Sequence, residues 1–130
     1  MRRAGLAVVF LWFAIGGVAH FVATDAFAAI VPPWVPHPRA AVLASGALEL
    51  AGAAGLLHAR TRRAAGLGLF LLTIAVTPAN VYMLQRAELF ESVPRWALVA
   101  RLPLQLALLA LIAWSTGAFR PGRTGGTGAR

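Results

Sequence analysis

Four long apolar runs decide what this chain can fold into. They extend over about Ala4–Ala23, Ala40–Leu57, Ala64–Leu84 and Trp96–Phe119. A helix rises 1.5 Å per residue, so about 20 apolar residues cross the roughly 30 Å hydrocarbon core of a bilayer. No water is available there to bond a free peptide group, so each run is expected to close its hydrogen bonds as an α-helix. The reading is an all-α, four-transmembrane-helix bundle, one domain over residues 1–119, with a lipid bilayer as its first partner. A basic, Gly-rich tail at 120–130 reads as disordered.

The charged residues agree with this frame. Only 12% of the chain is charged and 59% is hydrophobic, where a soluble domain carries about a quarter charged residues. All twelve basic residues are arginine, and they cluster between the apolar runs. Arg2, Arg3, Arg60, Arg62, Arg63, Arg120, Arg123 and Arg130 fall on one side of the membrane, against Arg39, Arg86 and Arg95 on the other. By the positive-inside rule both termini are cytoplasmic, which places the chain in a bacterial plasma (inner) membrane. A net charge of +8 spread in this way reports topology and speaks against a nucleic-acid partner. The absence of cysteine removes thiol redox chemistry and Cys-ligated metals. An alternative reading of the N-terminus also exists: Met1-Arg2-Arg3, an apolar run and Ala26-Phe27-Ala28 imitate a cleavable signal peptide.

The connections are legible too. Val31-Pro32-Pro33-Trp34-Val35-Pro36-His37-Pro38 excludes regular helix, because proline lacks the N–H and fixes φ. Trp34 suits the headgroup zone. Ala59–Arg63 is a tight basic turn, and Ser92-Val93-Pro94 reads as a helix start.

The chemistry lies in the polar residues inside the spans. Glu49 sits near the middle of the second run, where an acid costs about 2.5–3.5 kcal/mol on insertion scales and so faces the protein interior. Arg101 and Gln105 project together at i, i+4 on the fourth run. An interaction between Glu49 and Arg101 is expected, as a direct ion pair or through Gln105 or water, with snorkelling of Arg101 to the headgroups as its rival. Thr73, Thr77 and Asn80 share a face of the third run, beside Pro78, which frees the Ile74 carbonyl. Pro103 does the same for Val99. His20 follows Gly16-Gly17 at the end of the first run, where glycines permit close approach of a helix or a ligand. His20, His37 and Asp25 have no metal-ligand spacing, and no metal site is expected. By depth, His20, Glu49, Asn80, Arg101 and Gln105 converge in one half of the bilayer, beneath the Trp34 loop. With Thr77 they form the expected lining of an intramembrane pocket.

At these residues the chain resembles the DoxX family of small bacterial membrane proteins. The resemblance is carried by Gly16-Gly17-Val18-Ala19-His20-Phe21, Ile30–Pro36, Ser45-Gly46-Ala47-Leu48-Glu49-Leu50-Ala51-Gly52, Thr61–Gly66, Thr77-Pro78-Ala79-Asn80-Val81-Tyr82-Met83 and Arg101-Leu102-Pro103-Leu104-Gln105. It implies a four-helix membrane protein associated with quinone-linked redox enzymes: the family takes its name from a terminal quinol oxidase, and some members are linked to thiosulfate:quinone oxidoreduction.

Three functions follow as expectations. The first is a non-enzymatic subunit binding a quinone or another small amphiphile, alongside a membrane oxidoreductase partner. The second is a structural or assembly protein whose polar residues hold the helices together. The third is a small transporter acting as a homo-oligomer, since four helices seldom enclose a path alone. The chain carries no recognisable nucleophile or cofactor motif, so catalysis by the chain alone is not expected.

Overall fold

The computed structural model describes residues 1–121, so most of the segment read as a disordered tail lies outside the described residues. Those residues form helices and no strand: α1 (Arg2–Val22), α2 (Thr24–Ala28), α3 (Pro38–Leu56), α4 (Arg62–Ala75), α5 (Thr77–Gln85) and α6 (Arg95–Thr116), with a single 3-10 turn at Ala87–Leu89. Helices α4 and α5 form one rod over Arg62–Gln85. That rod, α1, α3 and α6 are four helices long and apolar enough to cross a membrane.

Local chemistry sets the ends of these elements. Pro38 opens α3 behind His37, whose left-handed backbone (φ 51°) turns the chain out of the proline-rich loop. Gly117 ends α6 in the left-handed conformation (φ 65°) that favours glycine. The third rod breaks at Val76, two residues before Pro78, because a proline cannot donate to the preceding turn. By contrast, α6 continues through Pro103. One element goes beyond the sequence reading: the short helix α2, tied to α1 where Thr24 Oγ1 donates to the His20 carbonyl at 2.8 Å.

The spans close into a ring. Helix α1 packs on α3 and α6, and α4 packs on the same two, while α5 leans mainly on α6. Short connections alternate the directions of the spans. The N-terminus, the C-terminal end of α6 and the 57–61 turn therefore lie at one face, called here the terminal face. The loops at 29–37 and 86–94 lie at the opposite, loop face.

The two halves of the bundle are packed differently. The core of Val9, Phe13, Ala53, Leu56, Leu69 and Ile112 fills the terminal half. Lipid tails are as apolar as these side chains, so helix association rests on close van der Waals contact and interhelical hydrogen bonds, which small residues permit. Gly66, seated against the Thr116 side chain, is one such contact. At the terminal face, arginines bond the carbonyls that helix C-termini leave free. Arg62 Nε donates to the Leu56 carbonyl at 3.0 Å, and Arg63 Nε to the Gly117 carbonyl at 3.2 Å. Toward the loop face the spans enclose a cavity.

Candidate functional site

The site begins at a crossing of two helices without side chains. A methyl group at Gly46 would lie 2.6 Å from His20 Cβ and 3.2 Å from the Gly17 carbonyl oxygen. One at Gly17 would lie 2.7 Å from Leu50 Cγ and 3.1 Å from the Gly46 carbonyl oxygen. Only glycine at both positions lets α1 and α3 touch backbone to backbone. His20 follows Gly17 by three residues on α1, and Glu49 follows Gly46 by three on α3. Because the helices are antiparallel, these residues lie on opposite sides of the crossing. Side chains lean toward the N-terminus of their own helix, so His20 and Glu49 lean toward each other. His20 Nδ1 and Glu49 Oε2 meet at 3.2 Å. Both residues are buried, and neither atom has a hydrogen-bond partner among the described residues. Gly16 completes the seat: a methyl group there would stand 3.0 Å from Glu49 Oε2. The Phe27 ring of α2 covers the imidazole, with ring centroids 4.2 Å apart.

A second polar group surrounds the break at Val76. Gln105 on α6 is buried and reaches across to the rod. Its Nε2 donates to the Thr73 carbonyl at 2.8 Å and also to Thr77 Oγ1. Its Oε1 accepts from Asn80 Nδ2 at 2.6 Å. Thr73 Oγ1 in turn donates to the Leu69 carbonyl at 2.7 Å. One amide side chain thus bonds a backbone carbonyl beside the break and ties α4, α5 and α6 together.

Between these two groups lies a cavity of about 620 Å³, within the range of roughly 300–1,000 Å³ typical of small-molecule sites. His20, Glu49, Asn80, Arg101, Gln105 and Trp34 all line it. Thr77 lines a neighbouring groove on the loop side, together with Pro33, Tyr82 and Gln85. Phe13, Leu72 and Leu108 supply apolar wall. Trp12, Ile15 and Leu104 line the cavity while remaining 48%, 67% and 50% exposed, so it reaches the outer surface of α1 and α6. Trp34, 73% exposed, stands at the loop side.

One sequence expectation is corrected. Glu49 is not directly paired with Arg101. The glycine crossing brings His20 to Glu49 first, and Arg101 Nη1 donates instead to Met83 Sδ at 3.0 Å. Arg101 is partly buried and lines the cavity. Sequence reasoning passed over Met83 and Phe27. It noted Thr73 only as part of a polar face. A signal for the His20–Glu49 pair was present: a glycine three residues before each partner.

The described residues contain no group of three or more side chains able to hold a metal ion. Neither a curated protein nor a solved structure matches the chain. A family model described as a domain of unknown function, DUF8561, matches residues 6–117, from the first turns of α1 to the C-cap of α6, and the chain belongs to that family.

Proposed function

We propose that this chain is a DoxX-like, non-enzymatic subunit of the bacterial plasma membrane that holds one quinone or other small amphiphile beside a membrane oxidoreductase. The observation that carries the reading is the cavity itself. It has apolar walls, a handful of converging polar side chains, and a margin that meets the lipid-facing surface at Trp12, Ile15 and Leu104. A guest dissolved in the bilayer would enter there without crossing water.

The residues suit a quinone head. Arg101 carries guanidinium donors that no carboxylate occupies among the described residues, and these would meet a carbonyl oxygen. With Nδ1 facing the Glu49 carboxyl group, the imidazole would turn Nε2 outward to the guest. His20 and Glu49 would then take up or return a proton at the guest's oxygen. A bound quinone would supply the electron chemistry, and the chain would supply orientation and exclusion of water.

Titration of the purified protein with a ubiquinone or menaquinone analogue tests this. Wild type should bind saturably, and His20→Ala and Gln105→Ala should bind more weakly. Equal, weak binding by all three would favour the second reading, a structural or assembly role. The mutual bonding of Gln105, Asn80, Thr73 and Thr77 is the observation that favours it.

A further inference from the structure

Seven polar side chains from the four spans line the cavity, and six of them are turned to another group of the bundle. Asn80 and Gln105 bond each other at 2.6 Å. Ser45 and Thr73 bond carbonyls of their own helices, at Val42 and Leu69. His20 and Glu49 face each other at 3.2 Å. Arg101 is the exception, because it is the one permanent charge among the seven and has no opposite charge beside it. Its guanidinium offers five N–H donors, yet its one hydrogen bond among the described residues goes to a thioether, Met83 Sδ. A thioether is a weak, uncharged acceptor. The ion pairs among the described residues join His20 to Glu49, Asp25 to Arg39 and Arg86 to Glu88, and none includes Arg101. Glu49 is the one acid within the spans, and it is seated against Gly16 and turned to His20.

A guanidinium does not lose its proton in a protein. Held in an apolar wall without a counter-charge, it is a costly feature. The cavity lies directly against it, and the cavity is where a counter-charge can enter.

Resting on the reading that the cavity takes one small amphiphile, and choosing against a neutral quinone head, we infer that this guest is acidic: a single-chain amphiphile whose anionic oxygen head binds the Arg101 guanidinium. A carboxylate or a phosphate monoester supplies that head, since both match the planar fork of donors in bidentate fashion. The tail runs along the apolar wall and leaves past Trp12, Ile15 and Leu104 into lipid.

Trp12 and Trp34 line the cavity and report on it directly. The full chain is placed in nanodiscs of neutral phosphatidylcholine at mildly alkaline pH. Tryptophan quenching is followed with ω-bromododecanoate, its methyl ester and ω-bromododecyl phosphate. For wild type, at least one of the two acids should saturate at a concentration about tenfold or more below the ester, the scale of a charged hydrogen bond. Whichever acid binds more tightly identifies the head as carboxylate or phosphate. Arg101→Gln should abolish the advantage, bringing the acids to saturate no lower than the ester. Arg101→Lys, which keeps the charge but not the fork, should restore part of it and guards against simple misfolding. If acids and ester saturate alike and Arg101→Gln alters nothing, the acidic guest is refuted while the amphiphile cavity stands. If no probe quenches saturably, both readings fall.

Discussion

His20 Nδ1 lies 3.2 Å from Glu49 Oε2 across the contact between α1 and α3, and both side chains are buried. The two residues therefore form an energetic unit. Removing one partner strands a buried polar group, whereas removing both strands none. His20→Ala and Glu49→Gln should each lower thermal stability in detergent, and the double variant should lose less than the sum. The expected coupling is about 0.5–3 kcal/mol. The same cycle run on Glu49 and Arg101 should come out close to additive. Strong coupling there would reinstate a direct pair between those two.

The crossing of Gly17 and Gly46 holds that unit in place. A side chain at Gly46 meets His20 Cβ at 2.6 Å and the Gly17 carbonyl at 3.2 Å, and backbone on both sides leaves little room to adjust. Gly46→Ala should destabilise the bundle by about 1–3 kcal/mol, the usual cost of overpacking. It should also weaken the coupling between His20 and Glu49 by driving the helices apart. Gly68→Ala is the control, since nothing lies within 4 Å of a methyl group there. Equal behaviour of the two variants would show that the α1–α3 contact tolerates a side chain.

Topology is tested separately. Helix directions put the N-terminus and the end of α6 at the face carrying Arg60, Arg62 and Arg63. The arginine bias of the sequence, eight residues against three, predicts that this face is cytoplasmic. Reporter fusions at Arg130 and within residues 88–92 should report cytoplasmic and external positions respectively. An external C-terminus would reverse the assignment, and a mature chain beginning near Ala29 would remove α1 altogether.

These cases show which parts of the molecule the amino-acid order made readable. The four spans follow from one-dimensional quantities, apolar length and the positions of proline and glycine, and they appear as α1, α3, the α4–α5 rod and α6. The break near Pro78 was legible for the same reason. Partner choice was not. Depth along the helices allowed Glu49 to meet either Arg101 or His20, and the decision rests on how closely α1 approaches α3, a distance set by Gly17 and Gly46 together. Neither glycine is informative until its opposite number is known. The Arg101–Met83 contact was illegible for a related reason, because a thioether carries no signal of polarity in a sequence. Helix α2 was masked by the prolines that follow it.

Gln105 gives the sharpest test of how the rod is held. Its amide serves three partners: the Thr73 carbonyl, Thr77 Oγ1 and Asn80 Nδ2. All three keep a partner or an option after its loss. Thr77 Oγ1 already donates to the Thr73 carbonyl at 3.1 Å, and Asn80 lines the cavity, where its amide could meet water. Gln105→Leu keeps side-chain bulk but deletes every bond. It should therefore cost about 1–2 kcal/mol, the net worth of ordinary hydrogen bonds, rather than the penalty for several stranded buried groups. Asn80→Ala removes one of the three bonds and should cost less. The loss should also be local. Amide hydrogen exchange should quicken around Ala75–Asn80, where α4 gives way to α5, while the terminal-half core around Leu69 and Ile112 keeps its protection. Uniformly faster exchange along the whole rod would show that Gln105 supports the entire bundle, not the break at Val76.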